Sequence, residues 1–200
     1  MGNKPSSLPV LVIEPYPMTN DPLHTQRQYW RNVERQRPTN IVIPAHGQES
    51  VWDYPRPPQV ESVAEELRVI FAGATLAETL RGLRVLETAS APVYYFPPRD
   101  VRTGFLRRMV HTTLCEWKGL ATYWNVDLRG RRQEAVGWCY ETPGEGYEQL
   151  EGYFAFYAGV VDGCYLGSER VEPQPGDYYG GWVASNIVGP FKGVPGSDHW

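Results

Sequence analysis

From about residue 60 to residue 160 the chain is a succession of short strand-like runs set off by turn signals, and that leaves few folds open. Residues 66–71 and 75–79 flank an Ala-Gly-Ala turn and predict a hairpin. Residues 83–88 alternate, with Leu83, Val85 and Glu87 on one face and Arg84, Leu86 and Thr88 on the other. Glu87 then shares a face with apolar residues, and an inward carboxylate requires a partner or a function. A short run at 92–96 is halted by Pro97-Pro98, a helical turn is expected over 99–106, and 105–111 returns as a strand. The clearest hairpin joins 121–128 to 132–140 around Gly130. If its loop is residues 129–131, Trp124 lies opposite Val136 and shares a face with Trp138 and Tyr140; a two-residue loop puts Trp138 on the other face. Residues 152–159 add a strand that is aromatic on both faces, as expected for one buried on both sides. The fold class expected is all-β, built of antiparallel sheets.

The flanks are of another composition. Residues 1–46 read as an N-terminal extension, because five prolines in the first 22 positions rule out long regular elements. One short helix is expected over 25–37, docked through Tyr29, Trp30 and Val33 and ended by Pro38. Its arginines, Arg27, Arg31, Arg35 and Arg37, fall on more than one face, either solvated or forming an anion or partner surface. Residues 47–58 form an extended, proline-stiffened lead-in anchored by Trp52 and Tyr54, so the β-domain is expected to cover 47–172. The remainder, 173–200, is a Pro/Gly/aromatic tail. Tyr178, Tyr179, Trp182, Ile187 and Phe191 make it too apolar for a free linker, and it is expected to wrap over the domain.

Charge and hydropathy narrow the partners. A net charge of −4 argues against a general electrostatic grip on nucleic acid. The longest apolar run near the start, 8–13, is too short for a signal-peptide core or a membrane span. A cytoplasmic protein that binds neither nucleic acid nor membrane is expected. Three widely spaced cysteines, Cys115, Cys139 and Cys164, form no C-x-x-C pair, and four histidines show no metal-binding spacing, so neither metal nor cofactor is expected.

The chemistry concentrates in 111–124, H-T-T-L-C-E-W-K-G-L-A-T-Y-W, where a histidine, a cysteine, a lysine and three large aromatic residues lie around an apparent Gly119 turn. Such groups either meet a ligand or are costly to bury alone. Lys118 in that setting holds an anion or pairs with Glu87 or Asp100. Cys115 has Lys118 three residues on and His111 four before, and is either a core thiol or a nucleophile.

Four motifs in order carry a family resemblance: V-Y-Y-F-P-P-x-D-V at 93–101, T-x-C-x-x-K-G-x-A-x-Y-W at 113–124, W-x-Y-x-x-P at 138–143 and Y-F-A-F-Y at 153–157. L-R-V-L-E-T at 83–88 and S-V-W-D-Y-P-R-P-P at 50–58 extend the match. The chain resembles the family catalogued as domain of unknown function 427 over roughly 48–160, and its tail looks like that of the longer, cyanobacterial-type members. The resemblance implies a small antiparallel β-tent, the architecture of methionine sulfoxide reductase B and of the cereblon ligand domain, here without their zinc site because the paired cysteines are missing. It implies no established activity. A nucleotidyltransferase label is attached to the family, but this chain shows no phosphate-cradling loop and no closely spaced carboxylate pair after Gly180-Gly181.

Two functional readings follow. In one, Glu87, Tyr95, Asp100, Cys115, Lys118, Trp124, Trp138 and Tyr140 converge on an aromatic pocket that binds a small polar or anionic molecule, or a peptide end. In the other, the chain is a small enzyme acting through Cys115 or a Lys118–Glu87 pair. The oligomeric state stays open.

Overall fold

The structure, a computed structural model, describes residues 23–33, 37–176, 179–197 and 200. Expectations for 1–22, Arg35, Tyr178 and His199 lie outside the described residues. One helix, α1 (His24–Asn32), precedes six strands: β1 (Glu49–Ser50), β2 (Gln59–Ser62), β3 (Leu67–Phe71), β4 (Ala74–Thr79), β5 (Leu83–Leu86) and β6 (Val93–Phe96). Two 3-10 turns, Pro98–Asp100 and Thr103–Phe105, replace the single helical turn expected there. Five more strands follow: β7 (Leu106–Cys115), β8 (Gly119–Leu128), β9 (Arg131–Pro143), β10 (Phe154–Phe156) and β11 (Gly163–Leu166). The last four are two-residue pieces, β12 (Glu169–Arg170), β13 (Glu172–Pro173), β14 (Trp182–Val183) and β15 (Ile187–Val188).

The fold is all-β, with two open antiparallel sheets. The larger runs β2-β5-β6-β10-β9-β8-β7, the smaller β12-β11-β3-β4. The one departure from antiparallel pairing among the named strands is β1 beside β15, which run parallel. The sheets share a core in which Phe96, Phe154 and Phe156 of the larger meet Leu67, Val69 and Phe71 of the smaller. Each such side chain contributes roughly 1.5–3 kcal/mol by leaving water. Trp182 drives into the same core, fully buried, its ring 5.1 Å from that of Tyr94 and its indole N–H donating to the Phe156 carbonyl at 2.9 Å. Trp52 and Tyr54 are buried as expected.

Turn chemistry sets which face each side chain takes. Ala72-Gly73, with φ of 50° and 65°, closes the β3–β4 hairpin, the left-handed pair that a type I′ turn requires. The β8–β9 hairpin likewise has a two-residue loop, Arg129-Gly130, with Leu128 opposite Arg131. A bulge then intervenes between Trp124 and Val126, so Trp124 faces Gly137 and Tyr123 faces Trp138. Of the two registers the sequence left open, the two-residue loop is the one present, and Trp138 lies on the other face from Trp124. Trp124 turns to the core side and its ring lies 5.4 Å from that of Phe154.

Helix α1 is shorter than expected. Its N-terminus has no side-chain cap and no acidic residue in the first turn, and Val33 is already extended. Tyr29 is 58 % exposed, so docking runs through Trp30, Arg27 and Arg31 rather than through Tyr29. Arg27 donates to the Glu116 carbonyl, and Arg31 lies over the Trp117 ring at 5.8 Å. Among the described residues, no helix is long and apolar enough to cross a membrane.

Candidate functional site

The outer face of the larger sheet, the one turned away from the core, builds the site. Tyr95 on β6 pairs with Ala155 on β10, Ala155 with Trp138 on β9, and Trp138 with Tyr123 on β8. Strict alternation puts this row on one face. Val85 beside Val93, and Tyr140 beside Ala121 and Thr113, extend it on either side. All of these except Ala155 line one cavity of about 260 Å³. Its aromatic wall is closely knit. The Trp138 ring lies 4.6 Å from Tyr157 and 6.3 Å edge-on from Tyr95, and the Thr113 and Tyr123 hydroxyls are 2.9 Å apart. Gly180 lies so close to the Trp138 ring that a Cβ there would overlap it.

Of the eight residues expected to converge, six do: Glu87, Tyr95, Cys115, Lys118, Trp138 and Tyr140. Trp124 does not, for the register reason above. Asp100 does not either. Its carboxylate accepts from the Thr79 hydroxyl at 2.6 Å and pairs with Arg81 at 2.9 Å, well outside the cavity lining, and these partners hold its pKa below the ordinary carboxylate value. Val85 and Glu87 line the cavity together, as their alternation required.

The charges are unequal. Glu87 meets three cations: Arg56 Nη2 at 3.2 Å, Lys192 Nζ at 3.4 Å and Lys118 Nζ at 3.9 Å. Arg56, Lys118 and Lys192 are all buried, their side chains 3 %, 10 % and 8 % exposed. Glu116 also lines the cavity, but among the described residues its carboxylate makes no ion pair with them. Burial works against the Glu87 carboxylate, yet Lys192, Lys118 and Arg56 more than offset it and bring its pKa down to about 2. The two ammonium groups shift in opposite directions although Lys192 lies nearer the carboxylate. Burial disfavours both. For Lys118 the facing Cys115, Glu87 and Tyr95 outweigh it and raise the pKa; for Lys192 the neighbouring Arg56 and Lys118 add to it and lower the pKa. Burial also pushes the Tyr95 phenol up to about 12.

Arg56 and Lys192 were not found by motif, and each is firmly placed. The Arg56 guanidinium lies over the Trp30 ring at 5.0 Å and donates to the Thr88 carbonyl at 3.4 Å, while its Nε has no hydrogen-bond partner among the described residues. The Lys192 backbone N–H donates to Ala89 at 2.8 Å, and its carbonyl accepts from the buried Gln174 amide at 2.8 Å. Its ammonium lies 4.7 Å from the Tyr179 ring. Lys192 carried the same signal as Lys118, a lysine before glycine in an aromatic stretch. Cys115 is half-buried at the cavity, its sulfur accepting the Lys118 backbone N–H at 3.5 Å; Cys139 and Cys164 are buried elsewhere. Among the described residues, no three His, Cys, Asp or Glu side chains are grouped to hold a metal ion.

A family model described as a domain of unknown function (DUF427) matches residues 59–167. No curated protein matches the chain. Glu87, Tyr95, Cys115, Lys118, Trp138 and Tyr140 lie inside the matched region; Trp30, Arg56, Tyr179 and Lys192 lie outside it.

Proposed function

The chain belongs to the family described as domain of unknown function 427, and from its site we propose a binding module that holds a small anionic molecule in the aromatic-walled cavity. One observation carries this reading: three buried cations converge on a single carboxylate. A buried charge without a counter-charge is expensive, so a cavity that keeps surplus cations is suited to an anion that neutralises them. The Tyr95, Trp138, Tyr140 and Tyr157 walls make the surroundings less polar, which strengthens charge contacts within. Native mass spectrometry of the purified protein, followed by denaturing release, tests the reading directly and should yield an acidic small molecule. Thermal melts with benzoate and with uncharged benzyl alcohol provide a second check. Benzoate should raise Tm and the alcohol should not; equal effects, or none from any anion, would refute the proposal.

One observation favours a second reading. Cys115 lines the same cavity, beside Lys118 and Glu87, where a thiol or a Lys118–Glu87 pair could act on a bound molecule. Rapid alkylation of Cys115 near neutral pH, blocked by a bound anion, would support an enzyme acting through the thiol. A slow, core-like rate would remove that version.

A further inference from the structure

Building on the anion-binding reading, we propose that the occupant bears two negative charges on one head group, as a phosphate monoester or a paired dicarboxylate does. Arg56 and Lys192 are the residues that select it over a monoanion. Within the family-matched region the cavity holds one ion pair, Glu87 with Lys118 at 3.9 Å, and Glu116, which among the described residues pairs with none of the three cations. The two additional cations enter from either side of that region, Arg56 ahead of it and Lys192 after it. Among the described ion pairs, Glu87 is the one carboxylate that meets the three cations, which leaves the cluster a surplus of two positive charges.

The surplus is built in rather than incidental. A solvated lysine is held by nothing, whereas the Lys192 backbone is clamped at both its N–H and its carbonyl, to Ala89 and Gln174. The Arg56 side chain is fixed between the Trp30 ring and Glu87, with Nε left as a donor without a partner. Side chains held this way lose little freedom on binding, so their charge goes into affinity.

The shape of the occupant follows from the adjoining space. A second cavity of about 610 Å³ shares Thr113, Tyr123, Tyr157, Gln174 and Tyr179 with the first. Among the described residues no lysine or arginine lines it; its wall is mainly apolar and glycine- and proline-bearing, with His111 and Glu134 as the described ionisable groups besides tyrosine. A dianionic head against Arg56 and Lys192, with an uncharged body reaching into this second space, fits the pair of cavities.

Calorimetric titration of the full chain, at about pH 7.5 where a phosphate monoester is largely dianionic, tests this with four probes: phenyl phosphate, phthalate, benzoate and benzyl alcohol. The dianions should bind at least about tenfold more tightly than benzoate. Lys192→Gln should weaken the dianions more than it weakens benzoate, and so remove most of that advantage. Glu87→Gln, which deletes the competing carboxylate, should tighten the dianions, an effect that a purely structural role for these side chains would not produce. If Lys192→Gln melts below the titration temperature, Arg56→Gln makes the same comparison. Preference for phenyl phosphate supports the proposal with a phosphate monoester as head group, and preference for phthalate supports it with a dicarboxylate. Benzoate binding as tightly as the dianions overturns the charge count and leaves anion binding standing. If no anion binds at all, both fail together.

Discussion

Glu87→Gln removes one negative charge and almost no volume from the point where Arg56, Lys192 and Lys118 meet. The magnitude can be worked from the carboxyl's own titration. Its pKa moves from 4.5 in the unfolded chain to about 2 in the folded protein. At about 1.36 kcal/mol per pH unit, that gap contributes roughly 3 kcal/mol of stability. The side chain is 18 % exposed, so solvent screens little of it. A depressed carboxyl stabilises fully above its unfolded value and loses that contribution as pH falls through its folded value. The window is therefore about pH 4.5 down to about pH 2. Urea melts in chloride buffer, free of phosphate and carboxylates that could fill the site, should show the variant about 3 kcal/mol less stable at neutral pH. That falls within the roughly 3–5 kcal/mol of breaking a buried pair. For a chain of this length the same loss lowers Tm by about 6–12 °C. Across the acid window the gap between wild type and variant should close. A neutral-pH difference under about 1 kcal/mol, or one that persists at the acid end, would refute the reasoning, because the three cations would then not depend on this carboxylate.

Three other outcomes are expected. Trp182→Ala removes a fully buried ring and its hydrogen bond to Phe156, and chemical denaturation should show a loss of about 3–5 kcal/mol; a loss below about 1 kcal/mol would mean the 182–183 segment is not part of the core. Gln174→Leu leaves the Ala91 N–H and the Lys192 carbonyl without their partner, so stability should fall by about 2 kcal/mol and dianion affinity should fall with it. Burial pushes the Cys139 and Cys164 thiols above their ordinary range, so iodoacetamide followed by peptide mapping should label Cys115 in the native protein and the other two only after unfolding. Equal labelling of Cys139 would contradict its burial.

The local sequence determined the all-β class, the strand positions from residue 66 to 140 within a few residues, and the face on which Val85 and Glu87 lie. These depend on alternation and turn residues, which act over a handful of positions. It also brought together six of the residues that line the cavity, because strand alternation places Tyr95, Trp138 and Tyr140 on one face whatever lies across from them. Three things needed tertiary structure. The register at Arg129-Gly130 and the bulge after Trp124 moved that indole to the core side, and a bulge leaves no mark in hydrophobic periodicity. The two-residue strands between 169 and 188 are too short to show a period, and the docking of Trp182 fixes their place. Above all, the charge of the cavity is a non-local sum. Arg56 and Lys192 lie 136 positions apart in the chain and meet Glu87 only because the segments before and after the matched region close over the same face of one sheet. Nothing in the neighbourhood of any one of these residues in the chain specifies how many charges will face the cavity.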